Sequence, residues 1–211
     1  MGLTRRFSHR MREKRFARFR ELIANLPKPV RVLDVGGTNE FWKSRGFADS
    51  EDFEVTLINQ QPEQQLYKNI IPLKGDATDL GQFEDASFGV VFSNSVIEHL
   101  FTKENQQAMA REIDRVGRSF WVQTPNYWFP IEPHFHFFGW QWLPLSWRVA
   151  IIRRKRCGWR GRTKDPKRAR ALVEEVRLMT RGELEACFPG ARMEPERLMG
   201  LTKSWIAIKG F

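Results

Sequence analysis

The chain is poor in several residue types that would announce a function. Only two cysteines, Cys157 and Cys187, occur in 211 residues, and neither has a second Cys or His at ligand spacing. That excludes a disulfide scaffold and a cysteine-based zinc site, and it suits a reducing compartment. There are four histidines and two tyrosines, so proton-transfer candidates are few. No apolar stretch reaches the roughly 20 residues needed to span a bilayer. The opening MGLTRRFSHRMREKRFARF lacks the apolar centre of a secretory signal, and Arg6 stands where a myristoylation motif requires Ser or Thr. A cytoplasmic location is expected.

Positive charge and aromatic rings are plentiful. The net charge is +10, unevenly spread. Residues 1–31 carry 10 Lys/Arg against 2 acids and residues 148–170 carry 11 against 1, whereas residues 32–147 carry 8 against 16. Two basic segments thus flank an acidic body. Such segments favour anionic partners such as lipid headgroups, phosphorylated substrates or nucleic acid; solvated helix faces are the plainer explanation. In the first segment Phe7, Met11, Phe16, Phe19, Leu22, Ile23 and Leu26 recur at helical spacing, and Pro27 and Pro29 end the helix.

Alternation follows. VRVLDV reads as a strand, TNEFWKSRGF as a short helix, and FEVTLIN, NIIPLKG and FGVVFSN as further strands. A helix capped by Thr102 runs to Gly117 before a fifth strand, SFWVQT. A helix from about 167 to 178, a second opened by the capping box at Thr180, and a two-stranded finish complete the pattern. This rhythm predicts an α/β fold with a doubly wound, mostly parallel seven-stranded sheet. The expected organisation is a single domain: a basic helix at 1–29, a cofactor-binding core at 30–124, an aromatic and basic lid inserted at 125–170 after the fifth strand, and C-terminal helices and strands at 171–211.

The turn RVLDVGGTNEFW poses the functional question. A dinucleotide fingerprint needs G-x-G-x-x-G, yet only Gly36 and Gly37 are present; a P-loop lysine is also missing. A smaller zwitterion suits a tight glycine turn at a helix start, with Asp34 near the strand's end. Further stations fall at the ends of later strands, where open sheets bind ligands: Asn59 for a ribose diol, Asp76 and Ala77 in GDATDL for an adenine, and Asn94 and Ser95 in SNSVIEHL at the cleft mouth. VLDVGGT, LINQ, GDATDL and FSNSVIEHL, in that order, resemble the motifs of class I S-adenosylmethionine-dependent methyltransferases. The match resembles the small-molecule, ubiquinone-biosynthesis-like branch (methyltransferase type 11) over about residues 30–126. The resemblance implies a Rossmann-like fold, S-adenosyl-L-methionine as cofactor, and Asp34, Gly36, Gly37, Asn59, Asp76, Ala77, Asn94 and Ser95 around it. The family usually places Asp or Glu where Asn59 stands, so Asn59→Asp is expected to bind the cofactor at least as well as the native chain.

Catalytic candidates are the histidines. His99 follows the fourth strand, and the resemblance puts it beside the cofactor cleft; packing of the next helix is the alternative. His134 and His136 lie in PNYWFPIEPHFHFFGWQW after the fifth strand. Glu132, His134 and His136 alternate, so an extended segment would set them on one face, as general bases or substrate-orienting groups; no metal is expected. The lid joins Trp-rich sequence to Arg153, Arg154, Lys155 and Arg156, the composition of an interfacial segment on anionic membrane. The expected acceptor is a small molecule, lipid or lipid-linked glycan methylated at oxygen or carbon. The alternatives are a non-catalytic cofactor-binding module and, less favoured, a nucleic-acid methyltransferase.

Overall fold

The computed structural model describes residues 3–158 and 160–211, with side chains described from residue 9 onward; Phe7 therefore lies outside the described side chains. Helix α1 (Leu3–Ile23) precedes β1 (Val30–Val35), α2 (Asn39–Lys43), β2 (Phe53–Asn59), β3 (Ile70–Lys74) and β4 (Phe88–Asn94). A single 3-10 turn at Ile97–His99 leads to α3 (Lys103–Val116) and β5 (Gly117–Pro125). The seven-stranded sheet closes with β8 (Arg192–Leu198) and β9 (Leu201–Lys209), in the order β3-β2-β1-β4-β5-β9-β8. β1 to β5 run parallel, and β9 lies antiparallel to both β5 and β8.

β1 explains why both faces are covered. Val30 and Val32 point to one side and Leu33 and Val35 to the other, as strand alternation requires, and each set joins a separate core. On one face, α1 contributes Phe16, Phe19 and Ile23, which pack with Trp42, Phe92 and Trp121. The apolar stripe read from the sequence is thus the helix's contact with the sheet. On the other face, Met109, Ile113 and Val116 of α3 meet Leu184 and Phe188 of α6 (Arg181–Cys187) and the segment after it. Thr102 caps α3 by accepting from the Asn105 N–H at 3.2 Å. The capping box expected at Thr180 forms with Glu183.

The 125–170 segment departs from a simple lid because it has a core of its own. It contains a hairpin of β6 (Ile131–Glu132) and β7 (Phe137–Phe138), then α4 (Leu145–Arg154), which packs on α5 (Pro166–Glu174). Phe135, Trp140, Ile152, Cys157, Ala169 and Val173 form that core. α5 ends at Glu174 rather than near 178. The chain then extends, and Met179 bridges to Asn126, tying the insertion to the end of β5.

Candidate active site

Strand order reverses between β1 and β4, and in open α/β sheets the crevice at such a switch point, beyond the strands' C-terminal ends, receives ligands. A cleft of about 370 Å³ lies there. Gly36 lines it with φ +83°, and a Cβ on Gly36 would lie 2.4 Å from the Val96 side chain. A Cβ on Gly37 would lie 1.8 Å from Asp34 Oδ2. The first glycine is therefore required by the cleft wall and by its left-handed backbone, the second by the carboxylate beneath it.

Asn59, Asp76 and Ala77 also line the cleft. The Asn59 Nδ2 donates to the Gly37 carbonyl at 2.8 Å, leaving Oδ1 as an acceptor. Asp76 Oδ1 accepts from the Thr78 N–H at 2.8 Å and the Thr78 hydroxyl at 2.7 Å, bonds that hold its carboxyl below the usual range. Gln60 adds a further side-chain hydrogen bond to the carboxylate. Ile58, Val96, Leu100 and Phe101 supply apolar walls. An acceptor for a hydroxyl, an acceptor for an amine and apolar walls form a lining that fits the ribose and adenine of S-adenosylmethionine.

Four expected cofactor residues do not line the cleft: Gly37, which lies over the Asp34 carboxylate, and Asp34, Asn94 and Ser95. Asp34 is buried on the opposite face of β1 and accepts from the Trp42 indole N–H at 2.7 Å, because alternation turns it toward the α1 side. Burial pushes its carboxyl up to about 7. The Asn94 side chain is taken by Arg15 of α1, whose Nη1 donates to its Oδ1 at 2.5 Å. Ser95 donates to Gln123 Oε1 at 2.9 Å. Arg15 also donates to Gln123 Oε1 at 2.7 Å and pairs with Glu196 at 2.6 Å. Neither Asn94 nor Ser95 lines the cleft. The sequence offered no signal for Arg15 beyond its place in a basic helix.

The histidines part company. Glu132 Oε2 accepts from the N–H groups of His134 and Phe135 at 2.7 and 2.6 Å, closing a turn at 133–136 between β6 and β7. The extended geometry that would align Glu132, His134 and His136 is therefore absent. His136 has φ +48° and is exposed. His134 instead meets His99, with ring centroids 4.8 Å apart and planes nearly perpendicular. Glu98, His99 and His134 each bring a donor atom within 4.8 Å of the others.

The electrostatics of this group follow from burial and pairing. Glu98 is completely buried; Thr124 donates to its Oε2 at 3.0 Å, and Oε1 has no partner among the described residues. Burial pushes its carboxyl up to about 7. The His134 Nδ1 lies 2.6 Å from Glu132 Oε1. With an ionised Glu132 as acceptor, Nδ1 carries the proton and Nε2 keeps its lone pair in the neutral ring. Burial opposes charge on His134, but the bond and charge of Glu132 together with the charge of Glu98 raise it above the ordinary histidine value. His99 is lowered, by burial first and then by His134.

Because Glu98 is raised above its ordinary 4.5, the native state keeps a proton that the unfolded chain releases. Stability is therefore lost as pH climbs from about 4.5 toward 7 and stays lost above it. Asp34 acts in the same direction. Glu98→Gln keeps an acceptor for Thr124, so its melting temperature is expected to fall less between pH 5 and pH 8 than that of the native chain. Equal falls would show that Glu98 is ionised in the fold.

A second, larger cavity of about 840 Å³ adjoins the cleft, and Phe101 lines both. Glu132, Phe135, Trp140 and Arg148 contribute to it from the insertion. The group thus stands between two chambers: His99 lines the cleft and Glu132 the cavity.

Comparison with known proteins finds partial likenesses. Residues 46–119 match the profile described as methyltransferase domain. Two curated relatives, both uncharacterized proteins of Mycobacterium tuberculosis (strains CDC 1551 and H37Rv), are 29% identical over 137 residues, 59% of this chain. The chain spans 46% of the length of those relatives. A SAM-dependent methyltransferase from Aquifex aeolicus superposes with a TM-score of 0.50 at 16% identity, covering 93% of this chain and 87% of that one. The Haloferax volcanii complex of the Trm112 methyltransferase activator with its methyltransferase gives 0.53 at 14% identity over 94% and 90%. A Rhodobacter sphaeroides protein named for zinc-dependent alcohol dehydrogenases gives 0.55 at 11% identity over 90% and 87%. At such identities the structural likeness is one of fold alone.

Proposed function

We propose that the chain is a class I S-adenosylmethionine-dependent methyltransferase, a reading supported by the methyltransferase-domain match and the fold, and that it methylates an oxygen or carbon acceptor held in the larger cavity, with His134 as general base. The observation that carries this reading is the Glu132–His134–His99 line, whose two ends line the cavity and the cofactor cleft while His134 between them lines neither.

S-adenosylmethionine supplies, when bound, a methyl group already activated on a sulfonium. The chain's residues then have to orient the acceptor, exclude water and receive a proton. Glu132 fixes the His134 tautomer and favours the imidazolium that forms when Nε2 takes that proton. Asn59 and Asp76 would hold the cofactor by accepting hydrogen bonds from its hydroxyl and amine groups. Phe101, Tyr127, Phe135 and Trp140 give the cavity an aromatic lining that suits an acceptor with an apolar body.

The acceptor class proposed is lipid or lipid-linked, which assigns the insertion's outer surface to an anionic membrane. Trp128, Phe138 and Trp147 are 63%, 72% and 63% exposed, and Ile131 and Trp142 are exposed as well. Arg153, Arg154, Lys155 and Arg156 are all exposed. Trp140, expected among the interfacial rings, is buried and stacked on Phe135 at 4.2 Å, so that role falls to Trp142 and Trp147. Among the described residues no helix is long and apolar enough to cross a membrane.

Calorimetry tests the cofactor half of the proposal. S-adenosylmethionine and its demethylated product are expected to bind and NADH is not; the reverse would overturn it. The Asn59 bond to the Gly37 carbonyl also changes the expectation for Asn59→Asp. A carboxylate cannot donate there and would face a carbonyl oxygen, so the variant is expected to lose about 1–3 kcal/mol of cofactor binding. Unchanged affinity would show that the amide's donor side contributes nothing.

A further inference from the structure

The larger cavity holds five charged side chains: Glu132, Arg148, Glu174, Arg177 and Glu183. Four of them are committed. Glu132 holds His134 at 2.6 Å, and Arg177 pairs with Glu183 at 2.5 Å and donates to Gln106 at 2.5 Å. Glu174 pairs with Arg170 at 3.1 Å on the exposed side of α5. The Arg148 side chain makes no hydrogen bond or ion pair with any described residue, and its Nε is buried without an acceptor.

The local sequence explains why Arg148 points inward. On α4, Leu145, Arg148, Val149 and Ile152 share one helical face, and Leu145, Val149 and Ile152 pack into the insertion's core. Trp147 lies on the other side and is exposed. Arg148 is thus carried toward the cavity by the same face that anchors the helix. Burial lowers its basicity, and the nearby Tyr127, Glu174 and Glu132 only partly offset that. A half-buried cation without a partner is costly, and an anion placed against it recovers much of that cost.

A second unsatisfied atom belongs to a residue of the same cavity wall, where it is buried. Gln141 donates through Nε2 to the carbonyls of Tyr127 and Phe129 at 2.9 and 2.7 Å, while its Oε1 is buried without a donor. The two carbonyl partners fix which end of the amide is which. The cavity therefore holds one guanidinium with no side-chain partner among the described residues, amid aromatic walls.

We propose that Arg148 binds an anionic group of the methyl acceptor, a phosphate or a carboxylate. This rests on the reading of the larger cavity as the acceptor site. A planar fork of N–H donors matches both oxyanions, and the pairing would set the acceptor's register relative to His134.

The test uses tryptophan fluorescence of the full chain with phenyl phosphate, benzoate and benzyl alcohol as probes. The native chain is expected to bind one of the two anions more tightly than the alcohol. Arg148→Gln is expected to weaken that anion roughly ten- to hundredfold and to leave the alcohol unchanged. A larger loss for phenyl phosphate identifies a phosphorylated acceptor, and a larger loss for benzoate identifies a carboxylate; either supports the proposal. Equal anion binding by native chain and variant, or no preference for anions over the alcohol, overturns it. Arg148→Lys, which keeps the charge without the fork, is expected to lie between and covers the case in which the Gln variant fails to fold. Calorimetry with S-adenosylhomocysteine on the same samples separates the failures. Retained cofactor binding with indifferent anions refutes Arg148 alone, whereas loss of cofactor binding by the native chain refutes the methyltransferase reading.

Discussion

The His134→Gln protein is expected to bind S-adenosylmethionine as the native chain does and to turn over about 10²–10⁴ times more slowly, the usual contribution of a positioned general base. His134 is absent from the residues lining the cofactor cleft, so cofactor affinity has no reason to change. In the proposed general-base role the neutral ring is the active form, so kcat/KM should rise with pH through the His134 titration. Glu132 raises that titration above the ordinary histidine value, which places the acid limb higher than for a free imidazole. Glu132→Gln removes the carboxylate, so its acid limb should move to lower pH while its maximal rate also falls. Because His99, His134 and Glu98 interact, the limb reports the group rather than one residue. His136→Gln serves as the internal comparison and is expected to stay near native activity. Native turnover in His134→Gln would remove the general base from the proposal, and an unshifted limb in Glu132→Gln would remove the carboxylate's role.

The second large effect is expected at the membrane surface. Replacing Arg153, Arg154, Lys155 and Arg156 by Ser should release the protein from anionic vesicles. Each basic residue near such a surface contributes about 1 kcal/mol, so losing four amounts to roughly a thousandfold in partitioning. Arg153 also donates to the Lys164 carbonyl at 3.0 Å, and Lys155 lies over the Phe137 ring at 5.0 Å. An unchanged melting temperature is therefore part of the measurement. Salt should weaken native binding, since the attraction is screened over about 8–10 Å near physiological strength. A nucleic-acid partner would share that sensitivity, so RNA competes against the vesicles. A blue shift of tryptophan emission with vesicles and not with RNA supports the membrane surface, with Trp142 and Trp147 as reporters. Tight RNA binding with indifference to vesicles would reverse the assignment. The other basic segment is less available than its composition implies, because Arg15 and Arg18 of α1 pair with Glu196 and Glu194.

What the sequence by itself determined is local and periodic. Strand alternation in VRVLDV, the helical stripe of Phe16, Phe19 and Ile23, and the caps at Thr102 and Thr180 each depend on residues within a few positions of one another. Gly36, Asn59, Asp76 and Ala77 were legible as cleft residues for the same reason: each lies at or just beyond a strand's C-terminal end, where a parallel sheet opens. Only the tertiary structure decided the rest. Alternation fixes Asp34 to one face of β1, but which face meets Trp42 and which meets the cleft depends on where the helices pack. Asn94 lost its place at the cleft to Arg15, a residue 79 positions away. Glu132, His134 and His136 looked like one face because alternation assumes an extended chain, and Glu132 instead caps a turn with its own carboxylate. The meeting of His99 with His134, and the lone Arg148 in the cavity, have no sequence signature. Such placements follow from chain crossings that bring distant segments together, and no short-range pattern encodes them.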